Sequence, residues 1–428
     1  MYINREIEAA LRTHLAQFKC VLVTGARQTG KTTLLKHILG STYDYVTLDD
    51  INELDRAIDD PGTFLSSSST PIIIDEVQLA PSLFRQVKLV VDAKDAYGSV
   101  VPTGSQTYGL MQGVSESLAG RVGILELGSL SLREISGTTK GTPFTSQYLP
   151  RKETPRSPKG LNLWAHIQRG SMPRLQDAEV DWHSFYNSYI QTYLERDVRQ
   201  AINLRDRRKF YNFMVAAAAR TGQLLNASDM ANDVDVSVKT IQSWILVLEA
   251  SGIIRILQPF WANTTRRLTK TPKLYFMDTG LACHFAGWNT PEQLKRGAMA
   301  GHMFETFVVS EVLKSHMNAG RDPRNISFYR DSQKREIDLL IQDGKVMHPV
   351  EIKARTNVRA EAVRNFEVLS SFTVITRSVS AMSYVRRRRH TWSAGMSKPS
   401  PSGRYRSIWH YLQDPSHQRG RLVLYVYW

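Results

Sequence analysis

The chain has 428 residues, of which 42% are hydrophobic, and it carries a formal net charge of +15 at pH 7. A chain of this length usually forms two or three domains, and its apolar runs are too short for a membrane span or a signal peptide. Its two cysteines, Cys20 and Cys283, are too few for a disulfide framework and belong to no metal-ligand cluster. These features predict a cytoplasmic protein with no membrane partner and no zinc site.

The positive charge is concentrated toward the C-terminal end. From Arg377 onward the sequence has ten basic residues and a single acidic residue, Asp414. The rest of the chain is only mildly basic, so the net charge by itself argues weakly for a nucleic-acid partner.

A short apolar run from Val21 to Val23 leads into the segment GARQTGKT, and a helical pattern follows it. The segment matches G-x-x-x-x-G-K-[ST], the phosphate-binding loop of nucleoside triphosphatases. Lys31 would reach the β- and γ-phosphates of ATP, and the hydroxyl of Thr32 would coordinate Mg²⁺. The predicted nucleotide-binding residues of this segment are Gly25, Ala26, Arg27, Gln28, Thr29, Gly30, Lys31, Thr32 and Thr33.

A second apolar strand, beginning at Pro71, ends in Asp75 and Glu76. In a doubly wound sheet, ligands bind beyond the carboxyl ends of the strands. We therefore expect Asp75 to hold Mg²⁺, directly or through water. Glu76 is expected to act as the catalytic base that polarises the water attacking the γ-phosphate.

The chain divides into five parts. Residues 1–137 alternate strand and helix patterns, as an α/β domain with a parallel sheet does. Residues 138–160 are rich in Thr, Ser, Pro, Lys and Gly, and they predict a linker or long loop. Residues 161–300 are mainly helical, residues 301–376 form a second α/β domain, and residues 377–428 form an atypical basic tail.

Within the helical part, residues 226–248 resemble a helix-turn-helix, and Ser237 is placed to cap its second helix. A wing-like strand pair is then indicated by Leu248, Ile253, Ile254, Ile256 and Leu257. Many such units bind DNA through the second helix, whereas others only pack against neighbouring domains. The second helix offers Lys239 but no cluster of basic residues, so both interpretations stay open.

A third set of chemically active residues lies further along the chain. Glu305 falls in a helical pattern, Asp338 opens a strand, and Glu351 and Lys353 lie in the next strand. In this D…E-x-K arrangement, Asp338 and Glu351 would share a divalent metal, and Lys353 would orient the attacking hydroxide. The strand period places Glu351 and Lys353 on one face. The alternatives are a strand pair with charged ends and a fold that has lost its metal.

In their order, these segments resemble a prokaryotic family of AAA-type ATPases fused to a C-terminal, restriction-endonuclease-like domain of unknown function. The likeness covers residues 1 to about 375. It also rests on Thr103-Gly104-Ser105-Gln106, Ser115-Glu116-Ser117-Leu118-Ala119-Gly120-Arg121, Leu130-Ser131-Leu132-Arg133-Glu134, Tyr193-Leu194-Glu195-Arg196-Asp197-Val198 and Lys273-Leu274-Tyr275-Phe276-Met277-Asp278-Thr279-Gly280-Leu281.

The resemblance implies two further site residues. Ser105 falls where related ATPases place a polar sensor of the γ-phosphate. Arg121 falls where an arginine finger would reach the nucleotide of a neighbouring subunit, which implies a homo-oligomer. A structural ion pair is the alternative role for Arg121.

Three features depart from the family. Gly170-Ser171-Met172-Pro173 stands where the family usually has a Gly-Gly-Phe-Pro type turn. Pro102 interrupts an apolar strand, and its missing N–H fits poorly with a central position in a sheet. After Thr376 we find no apolar alternation that would complete the C-terminal sheet. The tail is therefore either a frameshifted or decayed ending or a disordered basic segment that binds nucleic acid through phosphate contacts.

The predicted fold class is α/β, with a parallel-sheet P-loop NTPase domain, a helical winged-helix-like middle and a nuclease-like α/β C-terminal domain. The predicted function is ATP binding and hydrolysis, with Mg²⁺, in a nucleotide-driven switch that acts on DNA. The alternatives are a metal-dependent nuclease controlled by ATP, a non-hydrolysing ATP-binding regulatory module, and a decayed product that folds poorly.

Overall fold

The computed structural model describes residues 2–67, 71–93, 96–105, 118–139, 143–145, 162–194, 206–260, 271–344, 346–354, 365, 368–369, 382–385, 410–411 and 424–425. The α-helices, numbered here in chain order, are α1 Glu8–Gln17, α2 Lys31–Leu39, α3 Ile51–Asp59, α4 Pro61–Ser67, α5 Leu83–Ala93, α6 Leu132–Ile135, α7 Leu163–Arg169, α8 Trp182–Tyr189, α9 Arg207–Ala218, α10 Ala227–Val234, α11 Val238–Ala250, α12 Thr279–Phe285, α13 Pro291–Arg296 and α14 Ala300–Asn318. The strands are β1 Cys20–Gly25, β2 Asp44–Thr47, β3 Ile72–Asp75, β4 Val100–Ser105, β5 Val122–Glu126, β6 Gln223–Leu224, β7 Ile254–Leu257, β8 Lys273–Phe276, β9 Ile326–Arg330, β10 Glu336–Asp343, β11 Val346–Lys353, β12 Met382–Val385, β13 His410–Tyr411 and β14 Leu424–Tyr425.

Five parallel strands form the first sheet, in the order β2-β3-β4-β1-β5. The three inner strands are buried along their whole length, which explains their continuous apolar sequences. Successive side chains point to opposite faces, so Leu22 and Ile74 pack into one hydrophobic cluster while Val23 and Ile73 pack into another. The predicted parallel α/β sheet is therefore confirmed.

Pro102 lies inside β4, the middle strand of this sheet. It is paired with Ile74 of β3, and the adjacent Thr103 is paired with Val23 of β1. The expectation that Pro102 fits poorly with a central strand is therefore wrong. A proline removes a single ladder donor, and the other residues of the buried strand keep β4 paired on both sides.

The middle of the chain contains the predicted helix pair, α10 and α11. The side chains of Asn226 and Ser237 cap these helices by accepting hydrogen bonds from backbone N–H groups of the first turn. β6, β8 and β7 form a small antiparallel sheet in that order. Leu248, which the sequence analysis assigned to the wing-like strand pair, belongs to α11 instead. The strand after the helix pair begins at Ile254.

The C-terminal sheet has the order β12-β11-β10-β9, in which β9, β10 and β11 are antiparallel and β12 runs parallel to β11. β12 lies beyond Thr376, so the expectation that no strand completes this sheet is wrong at Met382–Val385. Most of the tail, residues 377–428, and most of the predicted linker, residues 138–160, lie outside the described residues. The two interpretations of the tail therefore stay predictions.

The long helix α14 connects all three parts. It contacts β8 of the middle sheet, β11 of the C-terminal sheet and β5 of the parallel sheet. Its buried residues run almost continuously from Met303 to Asn318, which fits a helix enclosed by other elements.

No helix among the described residues is long and apolar enough to cross a lipid bilayer. Cys20 and Cys283 are buried free thiols. Within the described part of the chain, no group of three or more His, Cys, Asp and Glu side chains is arranged to hold a metal ion.

Candidate functional site

The predicted phosphate-binding loop joins β1 to α2. Gly25 and Gly30 have φ angles of +148° and +92°, which residues with side chains rarely adopt. A Cβ atom at Gly25 would also collide with the carbonyl oxygen of Leu127. The glycines let the chain turn sharply into α2, whose first backbone N–H groups have no partner within the helix and can face an anion.

Lys31 is the first residue of α2 and is buried. Its ammonium group donates 2.9 Å hydrogen bonds to the carbonyl oxygens of Gly25 and Ala26. The side chain thus lies across the loop that precedes it. An ammonium group beside a helix N-terminus offers both positive charge and hydrogen-bond donors to a phosphate.

The other predicted loop residues differ in exposure. Thr29 is buried, and its hydroxyl donates a 2.9 Å hydrogen bond to the carbonyl oxygen of Ala26, which closes the loop. Arg27 is half-buried, whereas Gln28 and Thr33 are exposed. Thr29 therefore faces the interior of the loop, whereas Gln28 in the loop and Thr33 on α2 face solvent.

Asp75, at the end of β3, is brought against α2. Its Oδ2 accepts hydrogen bonds from the hydroxyl of Thr32 at 2.7 Å and from the hydroxyl of Tyr45 at 2.8 Å. Burial, together with the Asp75 carboxylate, raises the pKa of Tyr45, so its hydroxyl remains a donor. Thr32 and Asp75 supply the hard oxygen ligands that Mg²⁺ prefers, so this donor set fits the predicted ion.

Glu76 directly follows Asp75 and adopts a left-handed conformation with φ of +56°. Such a conformation is uncommon for a residue with a side chain, and it turns Glu76 away from the line of β3. The amide of Gln78 donates a hydrogen bond to Oε2 of Glu76. A Cβ atom at Gly104 would collide with the side chain of Gln78, so a glycine there leaves room for this contact.

Ser105 ends β4 and is paired with Gly25 of β1. Its hydroxyl is buried, as is the hydroxyl of Thr103, and neither has a hydrogen-bond partner among the described residues. Ser105 therefore lies beside the phosphate-binding loop, where the family resemblance expects a polar sensor. Gln106 lies outside the described residues.

Arg121 lies just before β5, and its side chain is 39% exposed. Its Nε atom is 2.5 Å from Oδ1 of Asp92 on α5. The guanidinium thus forms a surface ion pair within its own chain, which is the structural alternative to an arginine finger. Residues 115–117, the beginning of the segment that carried this prediction, are outside the described residues.

Sequence analysis missed the residue that braces the phosphate-binding loop. Arg5 is buried, and its guanidinium donates hydrogen bonds to the carbonyl oxygens of Thr29 and Gly128 and to Oε1 of Glu134. Glu134 closes a capping box with Ser131 at the start of α6. The capping pattern was readable in the sequence, but no local signal connects Arg5 to it.

Asp338, Glu351 and Lys353 are brought together across β10 and β11. The Lys353 ammonium is 2.6 Å from Oε1 of Glu351 and 3.5 Å from Oδ2 of Asp338. Oδ2 of Asp338 also accepts a 2.6 Å hydrogen bond from the backbone N–H of Ile352. Burial raises the pKa of both carboxyl groups, and neighbouring carboxylates raise it further. The predicted placement of Glu351 and Lys353 on one face is confirmed.

Two residues to which sequence analysis gave no individual role extend this cluster. Lys273 of β8 is buried, donates a 2.8 Å hydrogen bond to Glu305 and lies 2.6 Å from Oε1 of Glu336. The hydroxyl of Tyr275, two residues along the same strand, donates a 2.6 Å hydrogen bond to the same oxygen of Glu305. Their period-2 spacing explains why both side chains reach one helix.

In this arrangement, the donors of the predicted second metal site, Asp338 and Glu351, are already neutralised by the chain's own cations. Lys353 contacts both carboxylates, and Lys273 contacts the neighbouring Glu305. The donors fit a divalent ion only if an ammonium group moves away, so we derive no metal-dependent step from this cluster.

A crevice lies beside the phosphate-binding loop. Its lining includes Ala26 and Thr29 of the loop and Ile253, Met277 and Asp278 of the middle part. Met277 and Asp278 directly follow β8. The strand that contributes two residues to the charged cluster therefore ends beside the loop.

The exposed face of α11 carries Val238, Lys239, Gln242 and Leu246. Lys239 is the single basic residue in the helix sequence, and Leu246 is 64% exposed. This face combines one cation, one amide and two apolar side chains, so it resembles a protein-contact surface at least as much as a DNA-contact surface.

Comparison with known families is consistent with this architecture. Residues 17–136 match a family described as an AAA domain. Residues 161–292 and 300–390 match two domains of unknown function, DUF8612 and DUF4143. The first match coincides with the parallel sheet and its phosphate-binding loop. The AAA match and the loop at the edge of the parallel sheet together define an AAA-type P-loop NTPase, a nucleotide-binding class of ATPase.

The chain is 30% identical over 354 residues to uncharacterized protein Rv2008c of Mycobacterium tuberculosis, and the match covers 82% of this chain and 74% of that protein. Uncharacterized protein Mb2031c of Mycobacterium bovis matches with the same identity and the same coverage. The chain belongs to the family of these mycobacterial proteins.

Two solved structures are similar to parts of the chain. The Walker-type ATPase PABY2304 of Pyrococcus abyssi has a TM-score of 0.42 and 12% identity, covering 66% of this chain and 96% of that one. RuvB of Thermotoga maritima has a TM-score of 0.29 and 14% identity, covering 58% of this chain and 87% of that one.

Proposed function

We propose that the chain hydrolyses ATP to ADP and phosphate and that this cycle drives a conformational switch. The observation that carries the proposal is the hydrogen bond between Thr32 at the start of α2 and Asp75 at the end of β3. This contact joins the phosphate-binding loop to the carboxylate strand, the two parts that P-loop nucleoside triphosphatases use for catalysis.

Each residue then has a defined task. Lys31 exchanges its carbonyl partners for the β- and γ-phosphates, and Thr32 and Asp75 provide oxygen ligands for Mg²⁺. The ion, when bound, neutralises charge that develops on the phosphates. Glu76 orients the attacking water and accepts its proton. Gln78 is a positioning residue, because its amide holds one oxygen of the Glu76 carboxylate.

Phosphate release from the full chain in Mg-ATP tests this proposal. We expect Lys31→Ala to abolish release. Lys295→Ala is the control, because Lys295 is an exposed lysine on α13, and it should leave release unchanged. Release that persists in Lys31→Ala at the native rate would disprove catalysis at this loop.

The alternative is a regulatory module that binds ATP without hydrolysing it. Glu76→Gln separates the two functions, since it removes the proposed base and leaves the phosphate-binding loop intact. If the chain is an ATPase, the variant keeps nucleotide binding and loses phosphate release. If the native chain binds nucleotide but releases no phosphate, the regulatory alternative is favoured.

The crevice beside the loop offers the switch a route to the rest of the chain. Ala26 and Thr29 belong to the loop that would receive the nucleotide, and Met277 and Asp278 face them. A nucleotide that displaces Met277 or Asp278 would also move β8, to which both are covalently joined. In this proposal β8 transmits the nucleotide state to the C-terminal sheet.

Nucleic-acid cleavage is the second candidate function that the D…E-x-K residues predict, and it requires Lys353 to release Asp338 and Glu351, both of which it contacts in this structure. It is tested by incubating DNA with the full chain and Mg²⁺ or Mn²⁺, with ATP, with ADP and without nucleotide. Cutting that Asp338→Ala abolishes would support this candidate. A native chain that leaves DNA intact in all three nucleotide conditions would eliminate it.

A further inference from the structure

Tyr45 of β2 reaches the candidate nucleotide site from the edge of the parallel sheet. It is paired with Ile73 of β3, and its hydroxyl donates a 2.8 Å hydrogen bond to Oδ2 of Asp75, two residues further along β3. The hydroxyl of Thr32 donates to the same oxygen at 2.7 Å. Two hydroxyl groups, one from β2 and one from α2, therefore converge on a single carboxylate oxygen.

These contacts fix the orientation of the Asp75 carboxylate. The backbone N–H of Glu76 donates a 3.0 Å hydrogen bond to Oδ1 of Asp75, so both carboxylate oxygens accept from the chain. An ionised carboxylate oxygen has two lone pairs, and both lone pairs of Oδ2 have a hydroxyl donor. Asp75 is buried, and rotating its carboxylate would break hydrogen bonds where unpaired polar groups are costly.

The direction of the Thr32 proton decides which side of its hydroxyl oxygen can bind an ion. A hydroxyl group has one proton and two lone pairs, and the Thr32 proton is directed at Asp75. The lone pairs are then available to Mg²⁺, which prefers hard oxygen ligands. A residue that holds the Asp75 carboxylate in place thus also orients Thr32.

The ring of Tyr45 is itself held by α2. The ammonium of Lys36 lies 3.7 Å from the ring centroid, within the range of a cation–π interaction. Lys36 and Thr32 are four residues apart, so they lie on the same face of α2. This helix face therefore contacts the Tyr45 ring through Lys36 and the acceptor of the Tyr45 hydroxyl through Thr32.

We propose that Tyr45 is a positioning residue for Mg²⁺. Its hydroxyl holds Asp75, Asp75 orients Thr32, and the Mg²⁺-dependent part of nucleotide affinity depends on this order of contacts. The inference rests on the proposed nucleotide site, but it requires no hydrolysis, because nucleotide binding alone reveals it.

Calorimetric titration of the full chain with the non-hydrolysable β,γ-imido analogue of ATP, in excess Mg²⁺ and in EDTA, tests the proposal. The ratio of the two affinities, compared between native and variant chains, measures what the protein contributes to binding the ion. We expect Tyr45→Phe to reduce this ratio about tenfold, since one hydrogen bond to a charged group is lost, and to leave the affinity in EDTA unchanged. Equal weakening in both conditions would indicate a merely structural role and overturn the proposal.

Tyr43→Phe is the matched control. Tyr43 is also half-buried and packs against the same hydrophobic cluster, but its hydroxyl lies near Gly98 at the amino ends of the strands, away from Asp75. This variant should keep the native ratio, and a loss equal to that of Tyr45→Phe would overturn the proposal.

A second variant guards against misfolding. Should Tyr45→Phe not fold, Lys36→Met removes the ammonium over the ring at an exposed position, and it should lower the ratio in the same direction. An unchanged ratio in a folded Tyr45→Phe chain, with native nucleotide binding intact, would overturn this proposal alone. A native chain that binds the analogue in neither condition would refute the nucleotide site and this inference together.

Discussion

Arg5 and Thr29 connect the N-terminal segment to the phosphate-binding loop. Nη1 of Arg5 donates a 2.7 Å hydrogen bond to the carbonyl oxygen of Thr29, and the same guanidinium pairs with Glu134. Both charged side chains are almost fully buried. The loop is therefore supported by a residue that precedes Thr29 by 24 positions.

Replacing this guanidinium should loosen the loop. We expect Arg5→Met to lower the free energy of unfolding by about 3 kcal/mol, because it leaves the buried Glu134 without its counter-charge and two carbonyl oxygens without a side-chain donor. Nucleotide affinity should fall with it, since the loop loses its support. Thermal unfolding and nucleotide titration measure both effects. Arg12→Met, which removes an exposed arginine from α1, is the control, and equal melting temperatures for the two variants would refute the bracing role.

Substitution of Arg121 tests whether this residue is an arginine finger or only part of a surface ion pair. If Arg121 completes the active site of a neighbouring subunit in a homo-oligomer, Arg121→Ala should lower ATP hydrolysis by about a thousandfold without weakening nucleotide binding. Asp92→Ala breaks the same ion pair but keeps the arginine, so it should retain most of the activity. Normal hydrolysis by Arg121→Ala would end the finger hypothesis. Equal losses in both variants would assign the effect to the ion pair.

Because the pKa of Glu6 is raised, we expect the free energy of unfolding to depend on pH. Burial raises the pKa of Glu6 to about 7, although the ion pair with Arg133 opposes this shift. The folded chain then holds a proton that the unfolded chain has lost, so this group makes the unfolding free energy fall as pH rises from about 4.5 to 7. The change amounts to at most about 3 kcal/mol.

The Glu6→Gln variant has an uncharged amide at this position, which does not titrate in this pH range. We therefore expect the stability of the variant, relative to the native chain, to increase between pH 4.5 and 7 and to level off above pH 7. Chemical unfolding at a series of pH values checks this. A difference that stays constant across the range would show that Glu6 titrates normally in the folded chain.

Substitution of Lys239 tests whether the helix pair α10 and α11 contacts DNA. If α11 lies against DNA, Lys239→Glu should weaken gel retardation and reduce the salt dependence of binding by about one ion. Lys295→Glu changes the net charge equally at an exposed position on α13 and should have a smaller effect. Retardation unchanged by Lys239→Glu would favour a protein-contact role for this face.

The candidate nucleotide site was largely predictable because each of its parts is a short, continuous segment of the sequence. The segment Gly25 to Thr32 carries its own spacing, and the apolar strand before Asp75 places that carboxylate at the same edge of a parallel sheet. Pro102 shows where local rules fail, since one missing donor did not outweigh pairing on both sides of β4. Arg5 and Lys273 could not be assigned, because their partners lie far away in the chain.

By itself, the sequence determined the helix and strand patterns, the phosphate-binding loop and the carboxylates that follow β3, since each depends on spacing along the chain. Only the tertiary structure decided which charge neutralises which. Lys273 lies 32 positions from Glu305, and Arg5 lies 129 positions from Glu134. A buried charge requires a partner because desolvation is costly, but that requirement does not specify the partner. The choice was made by the packing of β8 against α14 and of the N-terminal segment against α6.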